Sequence, residues 1–125
     1  MSLLQNKKDI EQFMFDNWTS TEIHWSGQEF NITGKDEWIR LEYKPDNLRT
    51  NSIDSGVKIL SGKIKMVIFA RSEFRVFTLT DIALALFDNK KIGLNFSKNA
   101  KILSNGKTVD NNYNYSDLEI KVTTY

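Results

Sequence analysis

Between Val57 and Asp88 the hydrophobic period of this chain changes once, from two to about 3.6, and that change restricts what the chain can fold into. In Val57 to Ala70, Leu60, Gly62, Ile64, Met66, Ile68 and Ala70 alternate with Ser61, Lys63 and Lys65. This is the pattern of one long strand with a single apolar face, with a bend at Gly62 where the side chain is missing. From Ser72 to Asp88, Val76, Leu79, Ile82, Ala83, Leu86 and Phe87 recur on one helical stripe, and Ser72 stands where an N-cap belongs. Strand face and helix stripe must both be buried, and as chain neighbours they can bury each other.

The flanking segments extend the pattern. Leu3, Leu4, Ile10, Phe13, Met14 and Phe15 predict an amphipathic helix over Ser2 to Trp18. Glu22-Ile23-His24-Trp25 predicts a short strand before the turn formers Ser26-Gly27. Glu37, Ile39, Leu41 and Tyr43 alternate with Trp38, Arg40 and Glu42, and Pro45 ends that strand because it has no N–H for the ladder. Alternation returns at Ile92, Leu94 and Phe96, at Ile102-Leu103, and at Leu118, Ile120 and Val122. Asn105-Gly106 reads as a hairpin turn, since both residues tolerate positive φ. The order α-β-β-β-α-β-β, in one domain spanning 1-125, predicts an α+β fold: an antiparallel or mixed sheet of about five strands with two helices packed on one face.

Composition narrows the function. Hydrophobic residues are 40 % and charged ones 26 % of the 125 residues, so a packed core can form. Lys plus Arg number 17 against 16 Asp plus Glu, a balance that predicts no specific nucleic-acid binding. There is no cysteine and a single histidine, which leaves no thiolate chemistry and no multi-histidine zinc site. No apolar run approaches the roughly 20 residues of a membrane span, and Met1 to Lys8 has no signal-peptide pattern, so a soluble intracellular protein is expected. His24, beside Ile23 and Trp25, reads as a structural histidine. Asn105-Gly106-Lys107-Thr108 resembles the end of a phosphate loop but has Lys101 where the first glycine belongs. Phe74 and Phe77, interleaved with Arg71 and Arg75, faintly resemble a base-stacking nucleic-acid surface but read rather as braces holding the second helix against the sheet. No catalytic, metal or cofactor residue emerges.

Bulky side chains supply what chemistry does not. Trp18, Trp25, Trp38, Tyr113, Tyr115 and Tyr125 are many large rings for a short chain, and Trp38 opposite Ile39 and Leu41 means that both faces of its strand need cover. A partner could provide it, because aromatic and Arg side chains favour interface centres. The polar stretch Pro45 to Gly56 offers few core residues. The expected subunit or partner interface therefore comprises Trp38, Arg40, Glu42, Asn47, Arg49, Asn51 and Asp54.

Taken together, the first helix, Trp25, Trp38-Ile39-Arg40-Leu41, Ser55-Gly56-Val57, the strand Gly62 to Ala70, the helix segment Asp81 to Phe87 and the closing strand Leu118 to Val122 resemble the tail terminator (tail completion) proteins of long-tailed bacteriophages and prophages. Members of that family often carry a glycine near the start of the second helix, where this chain has Arg71-Ser72-Glu73-Phe74. The resemblance implies a structural protein of the virion tail, assembled in the bacterial host cytoplasm. It implies no enzyme and no cofactor, and a homo-oligomeric ring, commonly a hexamer, that meets the tail tube protein on one side and the head-tail connector protein on the other. A small enzyme with a carboxylate-lined pocket and a peptide-binding adaptor module are the alternatives from other classes.

Overall fold

A computed structural model describes residues 3–46 and 60–124. Its elements run α1 (Leu3–Asn17), β1 (Glu22–Trp25), β2 (Glu37–Pro45), β3 (Leu60–Ala70), α2 (Glu73–Leu86), β4 (Lys91–Ile92), β5 (Asn95–Lys107) and β6 (Asn114–Thr124). The strands form a six-stranded sheet in the order β1-β2-β3-β6-β5-β4. β1 lies parallel to β2 and every other pairing is antiparallel, so the α+β architecture has a mixed sheet with one strand more than expected. The extra strand is the two-residue β4, too short to show a period in the sequence.

Both helices cover the same sheet face. Ile10 and Met14 of α1 and Leu79 and Ala83 of α2 join Ile39, Leu41, Ile64, Met66, Ile68, Leu118, Ile120 and Val122 in one buried cluster. Phe13 and Phe87 meet where the helices approach, with ring centroids 5.6 Å apart. Ser72 caps α2 by accepting from Arg75 N, as its position in the sequence predicts. Gly62 sits where a Cβ would lie 3.0 Å from the Lys44 carbonyl oxygen and 3.1 Å from Pro45 Cα. A Cβ there would also lie 2.9 Å from Tyr43 Cε1, so any larger residue has to displace the Tyr43 ring and press on the β2 backbone.

Three expectations need correction. Asn105-Gly106 is not a turn: both lie within β5, and Gly106, with extended backbone, pairs with Tyr115. The chain reverses at Thr108 to Tyr113, where Thr108 Oγ1 donates to Asp110 (2.6 Å), the Asp110 carboxylate accepts from Asn112 N, and Asn111 takes φ 59°. In β5 the inward positions are Asn95 and Ser97, not Leu94 and Phe96, because the two-residue turn Gly93-Leu94 sets the opposite phase. The buried polar groups there are satisfied. Asn95 donates to the Ile92 carbonyl (3.1 Å), and Ser97 Oγ donates to the Phe87 carbonyl at the end of α2 (2.8 Å).

The third correction concerns α2. Phe74 and Phe77 do not brace the helix but are exposed, at 75 % and 48 %, and Ile82 is exposed as well. At 100° per residue, Val76, Leu79, Thr80 and Ala83 occupy the inward stripe, which places residue 74 on the far side and residue 77 on the flank.

Candidate interaction surfaces

The sheet face away from the helices is organised in rows, because strand pairing sets residues of different strands side by side. Trp38, Phe69, Tyr115 and Gly106 share the first row. The next holds Arg40, Val67, Asp117 and Ser104, and the third Glu42, Lys65, Glu119 and Lys101. The fourth row is Lys44, Lys63, Lys121 and Lys98, one lysine from each of β2, β3, β6 and β5.

The aromatic end of this face is closed by the chain itself. Trp38 stacks on Phe69 (4.9 Å between centroids) and receives the edge of Tyr113 (4.8 Å), while Phe30 packs at 6.3 Å and carries His24 stacked on it. Tyr113 is fixed in turn: its hydroxyl donates to the Lys35 carbonyl (3.1 Å), and the Arg71 guanidinium lies 5.0 Å from its ring centre. Trp38 is consequently only 5 % exposed. The cover expected from a partner comes from its own loops, so Trp38 is corrected from an interface residue to a core one. A shallow groove of about 570 Å³ remains beside it, lined by Phe30, Trp38, Arg40, Phe69, Tyr113 and Asp110 among others.

Of the other expected interface residues, Arg40 is exposed and Glu42 half-buried, with Lys44 Nζ 3.8 Å from the Glu42 carboxylate. Asn47, Arg49, Asn51 and Asp54 lie outside the described residues. His24 has a structural place, its Nε2 2.9 Å from the Gln28 carbonyl oxygen.

Charge on the open face is concentrated at Glu119, 7 % exposed although it points away from the helices. Lys63 Nζ stands 3.1 Å and Lys101 Nζ 3.7 Å from its carboxylate. The hydrogen bond from Lys63 holds the Glu119 carboxyl below the usual carboxylate range against the opposing effect of desolvation, with Lys101 and Lys65 adding their charges. The same bond raises Lys63. On the covered side, Arg75 reaches across from α2 to Glu37 with two bonds of 2.9 and 2.8 Å, and this fork lowers the Glu37 carboxyl while tying the helix start to β2. Asp110, the acidic residue of the groove, is lowered mainly by the hydroxyl of Thr108.

Among the described residues no three His, Asp or Glu side chains are grouped as metal ligands would be. What the surface does carry is apolar. Phe74 and Phe77 stand out from α2, Leu94 from the turn before β5, and Phe96, Ile102 (46 % exposed) and Leu103 (44 %) along β5. β4 pairs with Asn95 and Phe96 alone, so the rest of β5 is an edge among the described residues, broken by irregularities between Lys98 and Lys101 and between Ile102 and Ser104. For Leu94 and Phe96 the sequence signal was Gly93, which at φ 62° marks the turn that sets the phase at the start of β5. The lysine row had no signal, since its members lie far apart in the chain.

No family model and no curated protein matches the sequence. Nine solved chains match it in structure. One aligns over 100 % of this chain and 96 % of its own length, with a TM-score of 0.74 at 11 % sequence identity. That likeness is one of fold.

Proposed function

We propose that this chain is a structural subunit that closes into a ring with copies of itself, capping a bacteriophage or prophage tail tube and joining it to the head-proximal connector. The observation that carries the reading is the pair of unlike apolar surfaces, Phe74 with Phe77 on α2 and Ile102 with Leu103 on β5. A ring grows by a head-to-tail contact, which needs two different matching patches on every subunit. Large exposed apolar groups mark such contacts. The resemblance of the sequence to tail terminator proteins supplies the biological setting, and the tube and connector are the partners it implies.

The open edge of β5 also bears on the adaptor alternative, in which a peptide adds as a further strand. The two irregularities in that edge interrupt the regular row of N–H and C=O groups that strand addition requires. Side-chain contact through Ile102 and Leu103 suits it better.

Sedimentation velocity across a concentration series tests the ring. The chain is expected to shift from monomer to one closed species. Ile102→Lys with Leu103→Lys breaks one patch, and Phe74→Lys with Phe77→Lys breaks the other. Each double variant alone stays monomeric, whereas an equimolar mixture stops at a heterodimer, because each partner retains one sound patch. A wild-type chain that remains monomeric throughout, and that does not bind purified tail tubes, overturns the reading.

A further inference from the structure

We infer that the row Lys44, Lys63, Lys121 and Lys98 is a docking site for an acidic protein surface, distinct from the apolar patches that would close a ring. The four side chains stand abreast across neighbouring strands, a line about 14 Å long at ~4.8 Å per strand. Like charges set directly opposite in a sheet cost stability, and here three such pairings follow one another across four strands. Lys63 is answered by Glu119 and Lys44 by Glu42, both from the neighbouring row. Lys98 and Lys121 form no ion pair among the described residues, and both are exposed. The positive excess is local: set the four aside and 13 of the 17 basic side chains face 16 acidic ones. The chain therefore presents one basic line on an otherwise slightly acidic body, which fits a partner carrying a matching acidic ridge.

Two features favour a protein over a nucleic acid. The rings sharing the face do not offer free surfaces for bases, since Trp38 is stacked on Phe69 and edged by Tyr113. The row beside the lysines alternates Glu42 and Glu119 with Lys65 and Lys101, and Asp46 adds its charge near Lys63, so the neighbouring charge is mixed. A uniformly charged duplex covering both rows would set phosphates on carboxylates as well as on lysines, whereas a protein ridge can match the mixed pattern.

Fluorescence anisotropy with a labelled poly-glutamate peptide tests the assignment, with poly-glutamine of the same length and duplex DNA as comparisons. The poly-glutamate peptide is expected to bind, and to bind less as salt is added. Lys98→Gln with Lys121→Gln is expected to weaken binding about tenfold or more. Lys7→Gln with Lys8→Gln, the same loss of charge on α1, is expected to leave it unchanged. Both double variants replace surface side chains, and thermal melting confirms that they fold. The assignment is overturned by poly-glutamate that fails to bind, by equal losses in the two double variants, or by duplex DNA binding as tightly as poly-glutamate. It is also overturned if Lys98→Gln with Lys121→Gln abolishes self-association, since the occupant is then a second copy. The peptide and DNA binding results do not depend on whether the apolar patches close a ring.

Discussion

The two faces of the sheet solve the burial of large side chains in different ways. On the helix side, α1 and α2 lay a continuous apolar cover over Ile39, Met66, Ile68, Leu118 and Ile120, and polar groups enter it only with partners in hand. On the other side no helix of the described residues arrives. At one end loops fold back and bury Trp38 with Phe30 and Tyr113, while at the other end lysines face solvent. One sheet face thus holds a small second core and a charged surface about three rows apart. The lesson is that exposure on this face is decided by the loops over each row and not by the strands beneath.

Substitutions can break that comparison. If the Trp38 corner is a true core, Trp38→Ala costs about 3–5 kcal/mol, as much as a loss under the helices, and chemical denaturation measures it. A cost below about 1 kcal/mol would return the whole face to the surface. Leu79→Ala on the covered side is expected to cost about 2–5 kcal/mol, while Ile82→Ala one turn away stays within about 0.5 kcal/mol. Gly62→Ala forces a methyl group against the Lys44 carbonyl and Pro45, and should cost about 1–3 kcal/mol.

Acid separates the faces more gently. Glu37, held by Arg75, and Glu119, held by Lys63, both have folded-state values below the ordinary 4.5. Their stabilisation is present above that value and is lost as pH falls through the lower folded-state values. Denaturation midpoints measured over a pH series should therefore fall on the acid side. Glu37→Gln should lower the midpoint at neutral pH and flatten the acid limb. The smallest effect is expected at the lysine row: Lys121→Gln relieves like-charge contact with Lys63 and Lys98, and should raise stability by about 0.5 kcal/mol or less, most visibly at low salt.

Local pattern decided a good deal without help. The single change of period at Ser72, the alternation in Ile64 to Ala70 and in Leu118 to Val122, and the serine cap all appear where the sequence placed them, because each depends on residues a few positions apart. The wrong phase in β5, the misplaced turn at Asn105-Gly106 and the outward Phe74 and Phe77 share another cause. Each depended on which neighbour the segment would meet.

The sequence by itself determined the α+β class, the order of its main elements and the apolar side of β3 and β6. Only the tertiary structure decided that Trp38 is covered by its own chain, that Ile102 and Leu103 stand on an edge, and that four lysines from four strands form one line. Periodicity is a property of a single segment, whereas a row across a sheet exists only once pairing has fixed the register of strands distant in the chain.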